Sequence, residues 1–209
     1  MRYSSEHKTT MRKHLLTVAG AETKKKGFAA VGVDGLMQAA GVTSGAFYSH
    51  FSSKNELFKA VVEAELQDSI QMLIGNPHQD LAAWLDHESS RYLTMSHVRH
   101  PEAGCVLPAL GAEISRADDS VKKMYEQQML DAKNTLASRL GDDTAAWGFI
   151  AQCVGSLLLA RAMPNEETQQ AVINASKQFL QRAITQGTGN EPASTAGNAT
   201  PSPHRPPPA

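Results

Sequence analysis

The stretch from Val33 to Phe51, VDGLMQAAGVTSGAFYSHF, decides the fold of this chain because apolar residues recur in it at helical spacing on both sides of a glycine. Four residues follow the i, i+3, i+4, i+7 rule of one helical face: Val33, Leu36, Met37 and Ala40. Phe47 and Phe51 repeat the rule in a second, shorter segment. The pattern predicts two short helices that bury their apolar faces.

The predicted turn lies at Gly41, directly after the last residue of the first apolar face. Glycine in this place lets the chain adopt a left-handed C-cap and turn sharply. Thr43 or Ser44 is expected to supply the side-chain oxygen that caps the second helix. Two short helices joined by so tight a turn form the DNA-binding unit whose second helix enters the major groove.

The second predicted helix carries small or polar side chains outside its two phenylalanines, so its outer face can approach base edges and phosphates closely. This composition distinguishes it from the ordinary helix pair with an intervening glycine that any small helical protein can contain. Four residues are predicted to reach base edges: Thr43, Ser44, Gly45 and Ala46. Three residues are predicted to contact phosphates: Tyr48, His50 and Lys54.

The segment from Thr10, through Gly27-Phe28, to GVTSGAFYSHFSSKNELF at residues 41–58 resembles the tetracycline-repressor (TetR/AcrR) family of bacterial transcription regulators. The resemblance covers about the first 60 residues. It implies a three-helix DNA-binding head on a helical body that dimerises and binds a small molecule. It also implies that Arg12, near the start of the first helix, reaches a DNA phosphate.

Length and composition suit an all-α chain with two folded parts, since 209 residues of which 41% are apolar can bury a core. We predict about nine helices. The helix-turn-helix head is assigned to residues 1–52 and the ligand-binding and dimerisation domain to residues 53–186. Residues 187–209 hold six of the ten prolines and are predicted to be a disordered tail.

The charge distribution favours a nucleic-acid partner for the head. Residues 1–60 carry nine Lys and Arg against four Asp and Glu, although the whole chain has a net charge of −1. The polar, basic N-terminus lacks a secretory signal, and two cysteines suit a reducing compartment. We therefore expect a cytoplasmic protein that does not associate with membranes.

Ordinary helix signals predict the boundaries around the head. The first helix is expected from Thr9 to Lys26, with the run Lys24-Lys25-Lys26 as a solvated last turn that complements the helix dipole. Ser52 or Ser53, followed by Glu56, forms an S-x-x-E capping box that starts the next long helix.

An apolar pocket is predicted in the body, between helices that include one from Leu81 through Met95 and one from Cys105 to Ala117. Candidate ligand-binding residues are Trp84, Tyr92, Met95, Cys105, Met124 and Trp147. Each of these side chains also suits an ordinary place in the core.

Cys105 is the candidate reactive thiol, because it is predicted to begin a helix after Arg99 and His100, a setting that lowers a thiol pKa. The alternative is a cysteine that is simply buried, as free cysteines often are. Cys153 lies in an apolar helix, where a raised pKa is expected to make it inert.

The run from Ala145 to Met163 is almost entirely apolar. Its small residues and internal polar groups suit a helix buried in a bundle or at a subunit interface rather than a membrane span. We predict a homodimer, with these candidate interface residues: Ile150, Val154, Gly155, Leu158 and Phe179.

Catalytic and metal-binding motifs are missing from the sequence. Asp86-His87-Glu88 and His97-x-x-His100 contain ligand types, but no HExxH, CxxC, glycine-rich phosphate loop or G-x-S-x-G elbow accompanies them. We expect no metal, no cofactor and no enzymatic activity. The sequence predicts a repressor of a palindromic operator that a small-molecule effector releases. The alternatives are a ligand-independent or activating DNA binder, or a family relative turned enzyme or interaction protein.

Overall fold

The computed structural model describes residues 5–187, which form helices and connecting loops with no strand in that range. The head contains α1 (Ser5–Lys26), α2 (Val33–Ala39) and α3 (Ser44–Phe47). The remaining elements are α4 (Lys54–Ile74), α5 (Leu81–Tyr92), α6 (Met95–Arg99), a 3₁₀ helix (Pro101–Ala103), α7 (Leu107–Ser115), α8 (Asp119–Leu140), α9 (Asp143–Ala162) and α10 (Glu166–Gly187). The all-α prediction is confirmed. Apart from Gly187, the predicted tail lies outside the described residues.

One apolar cluster forms the core of the head. Its ten buried residues are Leu15, Ala19, Val31, Leu36, Met37, Ala40, Phe47, Phe51, Leu57 and Val61. The face that defined the helix-turn-helix is therefore buried, and Val33 is partly buried beside it. Because Leu57 and Val61 belong to α4, the core of the head extends past residue 52. The domain boundary at that residue stays a prediction.

The turn after α2 has the predicted glycine geometry. Gly41 has a φ of 70°, and its N–H donates to the Gln38 carbonyl at 3.0 Å while the Val42 N–H donates to that of Met37 at 3.0 Å. This pair of bonds is a Schellman motif, and glycine adopts its left-handed backbone without the steric cost of a Cβ. The predicted cap of α3 is wrong, because the N-cap residue Thr43 makes no side-chain capping bond.

The capping box at α4 is confirmed. Ser53 Oγ accepts the Glu56 N–H at 3.1 Å, and the Glu56 carboxylate accepts the Ser52 N–H at 2.6 Å. By contrast, the first helix was predicted to start too late. The described chain is already helical from Ser5, since the polar residues before Thr9 continue the helix.

The predicted helix from Leu81 through Met95 is broken in two. Leu93 leaves the helical conformation with a ψ of 80°, and Thr94 Oγ1 accepts the His97 N–H at 3.0 Å to cap α6. The apolar pattern ran on across this break because α5 and α6 bury residues in the same core. The next helix begins at Leu107, so Cys105 precedes it instead of opening it.

α9 is the one helix in the described part of the chain that is long and apolar enough to cross a membrane, judged by length and composition alone. It packs between α8 and α10 and buries Phe149, Cys153 and Leu157. Trp147 and Leu158 remain exposed on it. Within a single chain α9 is therefore a core helix with one uncovered apolar side.

Candidate nucleic-acid interface and internal cavity

The exposed side of α3 is the candidate DNA-reading surface. Phe47 and Phe51 are buried and fix α3 against the rest of the head. Thr43, Gly45 and Tyr48 are exposed, and Tyr48 has 69% of its surface in solvent. Small residues beside an exposed phenol leave room for base edges and provide a donor for a phosphate oxygen.

The other predicted DNA contacts on this segment are half-buried. Ser44 Oγ donates to Asp34 Oδ1 at 2.5 Å, which ties α3 to α2 and leaves the Ser44 oxygen free only to accept. Ala46 and His50 are partly exposed beside it. Their contacts with DNA stay predictions.

Arg12 and Lys54, both predicted phosphate contacts, have partners inside the head. Arg12 Nη1 donates to the His50 carbonyl at 2.5 Å, and its guanidinium lies 4.2 Å from the Phe51 ring centroid. Lys54 Nζ donates to the Phe28 carbonyl at 2.8 Å. Both cations therefore stabilise the helix-turn-helix through contacts within the head. Their contacts with DNA stay predictions.

The start of α4, where Lys54 is predicted to contact a phosphate, carries a negative charge of its own. The capping box already occupies the Glu56 N–H and places a carboxylate in the first turn. Hydrogen bonds from Ser52 lower the pKa of Glu56, so this negative charge is held near the helix start. A phosphate there would lie beside a carboxylate, which opposes its binding.

A cavity of about 500 Å³ lies in the body, between α4, α5, α8 and α9. Tyr92 and Cys105 line it, as predicted from the sequence. Ile150 and Val154 also line it and are half-buried inside their own chain, and their place in a dimer interface stays a prediction. Its size suits a small organic molecule.

Four predicted ligand-binding residues lie outside the cavity lining. Trp84 is 1% exposed and packs near Phe149 in the core, with ring centroids 6.3 Å apart. Met95 packs against the same core, whereas Met124 packs against the separate cluster of α4, α7 and α8. Trp147 is exposed on the outer side of α9. Their contact with a ligand stays a prediction, and it finds no support in this cavity, because the direction in which a side chain points depends on packing that the sequence does not display.

His97 clamps one wall of the cavity. Its Nδ1 donates to the Tyr92 carbonyl at 2.8 Å, and its Nε2 accepts the Cys105 N–H at 2.8 Å. Burial lowers the pKa of His97, which keeps the ring neutral in the form that these two bonds require. Among the residues that the structure describes, no three His, Cys, Asp or Glu side chains are placed to bind a metal.

The prediction of a lowered pKa for Cys105 is wrong. Burial is the largest influence on this thiol and raises its pKa. Burial also raises the pKa of Cys153 far above its ordinary value, as expected. Two features that were expected to lower the pKa of the Cys105 thiol do not act on it. α7 begins two residues after Cys105, so its free N–H groups do not surround the thiol, and the charge of Arg99 is paired with Glu166.

Lys24 connects the cavity wall to the head, a role that the sequence did not reveal. Its side chain is 5% exposed; Nζ donates to Glu65 Oε2 on α4 at 2.7 Å and to the Gly104 carbonyl at 2.9 Å. The lysine run had been assigned to a solvated face. The sequence feature that could have indicated this close approach of α1 to α4 is Gly20, one turn before Lys24. A Cβ at position 20 would lie 2.6 Å from Glu65 Oε1.

Glu113 of α7 makes the second connection between body and head. Its carboxylate accepts the N–H groups of Phe28 at 2.9 Å and Ala29 at 2.7 Å, directly after α1. Phe28 also stacks on Phe58 of α4, with ring centroids 4.2 Å apart. The end of α1 is thus held by both the cavity wall and α7.

This arrangement defines the class of protein: a helix-turn-helix head with an exposed second helix on a helical body is a DNA-binding transcriptional regulator. Residues 15–61 match the model of the tetR family of bacterial regulatory proteins. Over these residues the chain is similar to that family.

Relatives of similar length support the assignment. An HTH-type transcriptional regulator in the lacX 3'region of Lactococcus lactis subsp. lactis is 26% identical over 72% of this chain and 83% of its own. The HTH-type transcriptional repressor DhaR of Mycobacterium sp. (strain GP1) is 24% identical over 77% and 87%. A TetR family regulator from Cytophaga hutchinsonii has the same fold, with a TM-score of 0.73, 19% identity and coverage of 89% and 98%.

Proposed function

We propose that this protein is a cytoplasmic repressor that leaves a palindromic operator when a small-molecule effector fills the body cavity. The observation that carries the proposal is that the Gly104-Cys105 segment contacts both the cavity and the head. It lines the cavity, and its Gly104 carbonyl accepts the hydrogen bond from Lys24 of α1. A ligand that displaces this wall therefore acts on the head. The repressor name of DhaR is consistent with this direction of control.

The effector would act through its difference in affinity for two arrangements of the heads. When the two heads of a dimer lie about 34 to 36 Å apart, they can enter successive major grooves of a palindromic operator at the same time. A ligand that binds the other head spacing about a hundredfold better shifts operator affinity by the same factor, about 2.7 kcal/mol.

A homodimer through α9 and α10 is part of this proposal. Leu158 and Phe179, both predicted at the interface, are 51% and 58% exposed in the single chain. A Cβ at Gly155 would meet no atom within 4 Å, so a second helix has room to approach closely. An apolar side of this kind resembles half of a core, which is typical of obligate interfaces.

Gly155→Arg is expected to convert the dimer to monomers, because it places a charge on the face where close packing is proposed. Sedimentation velocity would show the monomer mass, and operator affinity would fall by at least tenfold. Asn134→Arg, on an exposed position of α8, adds the same charge elsewhere and should leave the mass unchanged. A dimer that survives Gly155→Arg would place the interface on another surface.

The DNA-binding arm of the proposal is tested with Tyr48→Phe and Thr43→Ala. Tyr48→Phe retains the edge-to-face contact with Phe47 and removes only an exposed hydroxyl. We expect it to weaken binding to all duplexes by roughly fivefold, the value of one hydrogen bond. Thr43→Ala should instead change the preference among operator variants.

The measurement is a gel shift with the DNA upstream of the protein's own gene and with single-base variants of the protected site. Equal losses on every variant for both substitutions would contradict this division between phosphate and base contacts. Repeating the shift with candidate effectors separates the repressor from a ligand-independent or activating DNA binder. Lys54→Ala is a poorer test, because Lys54 also supports the Phe28 carbonyl.

A further inference from the structure

The buried charges in the wall of the body cavity are paired with one another. Lys24 forms an ion pair with Glu65, and Arg91 forms one with Glu88, whose side chain is 2% exposed. Asp68 also lines the cavity, but it is exposed and therefore hydrated. An ion that entered the cavity would lose its own hydration without meeting an unpaired buried charge among these residues. The cavity therefore favours a neutral ligand.

Much of the remaining wall is apolar. It is formed by side chains of α4, α8 and α9, among them Leu66, Leu73, Leu136, Phe149 and Ile150. A ligand gains affinity from contact with such a surface because its own apolar area leaves water. The body of the ligand is therefore expected to be hydrocarbon.

Most polar side chains in the wall that could bind a neutral ligand already have hydrogen bonds. Both ring nitrogens of His97 are bonded. Thr94 Oγ1 accepts the His97 N–H at 3.0 Å, and Ser69 Oγ donates to the Glu65 carbonyl at 2.9 Å. Tyr92 differs, since its Oη is buried and has no hydrogen-bond partner among the described residues.

The Tyr92 hydroxyl is a donor in search of an acceptor. Burial, more than any other influence, raises the pKa of Tyr92 well above its ordinary value, so the hydroxyl keeps its proton. The Cys105 thiol lies beside it, and a thiol is only a weak hydrogen-bond partner. A buried hydroxyl without a good partner carries a cost that an acceptor atom of a ligand would remove.

We propose that the effector is a neutral, largely apolar molecule with a carbonyl oxygen, and that this oxygen accepts a hydrogen bond from Tyr92 Oη. The inference rests on the proposed function and names the class of ligand for the same cavity. Because Cys105 lies beside the buried hydroxyl, a ligand that reaches the hydroxyl displaces the Gly104-Cys105 segment. The Gly104 carbonyl of that segment accepts the hydrogen bond from Lys24 of α1.

Four naphthalene derivatives, substituted at the same ring position, test the class of ligand. They are methyl naphthyl ketone, isopropenylnaphthalene, naphthoate and the ammonium form of naphthylethylamine. The ketone and the alkene have nearly the same shape, but only the ketone carries an acceptor oxygen. In isothermal titration calorimetry with the full chain at neutral pH, we expect the ketone to bind about fivefold more tightly than the alkene, the value of one hydrogen bond. It should bind at least about tenfold more tightly than either ion.

Tyr92→Phe should weaken binding of the ketone about fivefold and leave binding of the alkene unchanged. The free variant should be as stable as the wild type, because the substitution removes a hydroxyl that has no partner. Tyr125→Phe is the matched control. Tyr125 is a half-buried tyrosine of α8 that packs against the separate cluster of α4, α7 and α8, so this variant should bind all four compounds as the wild type does.

Four results would overturn the inference: tighter binding of either ion than of the ketone, equal losses for ketone and alkene in Tyr92→Phe, a destabilised Tyr92→Phe variant, or binding of none of the compounds. Anisotropy with the operator duplex tests the proposed function separately. A ketone that binds through Tyr92 but leaves the operator complex intact would contradict effector release while supporting this class of ligand for the cavity.

Discussion

Gly104→Ala is expected to lower the free energy of unfolding by about 2 to 4 kcal/mol, as overpacking combined with broken buried hydrogen bonds. The added Cβ would lie 2.1 Å from His97 Cδ2 and 2.2 Å from Nε2. The ring cannot turn away cheaply, because both of its nitrogens are bonded, to Tyr92 and to Cys105. Either the His97 clamp breaks or the Gly104 segment moves out of the cavity wall.

Movement of that segment would also remove the carbonyl that Lys24 of α1 contacts. We therefore expect operator affinity to fall by at least tenfold, as though an effector were bound. Denaturant unfolding and anisotropy with the operator duplex measure the two effects. Gly111→Ala is the matched control, since its Cβ would meet nothing within 4 Å and alanine favours a helix. Equal stability of the two variants would show that the wall tolerates the methyl group.

Lys24→Met is expected to lower the free energy of unfolding by about 1 to 3 kcal/mol, because it leaves Glu65 and the Gly104 carbonyl without their shared donor. Glu65 is 24% exposed, so water compensates part of this loss. The methionine keeps most of the volume and apolar contact of the lysine stem. A double-mutant cycle with Glu65→Gln should give a coupling energy of about 1 kcal/mol or more.

The same helix supplies the control pair. Lys26 and Glu22 are also an ion pair, at 2.5 Å, but the Lys26 side chain is 56% exposed. Lys26→Met should change stability by less than about 0.5 kcal/mol, as expected for a surface pair. If Lys24→Met were no more destabilising than Lys26→Met, the connection between cavity wall and head would carry no measurable energy. The mechanism proposed for effector release would then have to act through Glu113 and α4.

The sequence by itself determined the head. Leu36, Met37, Phe47 and Phe51 are near one another in the chain, so helical spacing alone showed that they share a core. Gly41 and the Ser53-Glu56 box act through backbone bonds within a few residues. Features of this range depend on local chemistry, which is why the turn at Gly41 and the capping box of α4 were predicted correctly. The second short helix was predicted to include Phe51, whereas α3 ends at Phe47.

The sequence was less informative where two local signals compete. Apolar periodicity continued across Leu93 and Thr94, whereas the structure breaks the helix there and caps a new one with Thr94. The apolar run of α9 was expected in a subunit interface, and the structure shows that Ile150 and Val154 of this run line the internal cavity. A 20-residue apolar helix has several faces, and composition alone does not say which neighbour covers each one.

Only the tertiary structure decided the cavity and the contacts that connect its wall to the head. Lys24 meets the Gly104 carbonyl across 80 positions of sequence, and Glu113 meets Phe28 across 85. From local spacing, Lys24 was predicted to lie on a solvated last turn, and the pKa of the Cys105 thiol was predicted to be lowered. In the structure, packing against α4, α7 and the Gly104 segment buries Lys24 and raises the pKa of Cys105. Burial, charge pairing and pKa all depend on which distant residues exclude water from a side chain.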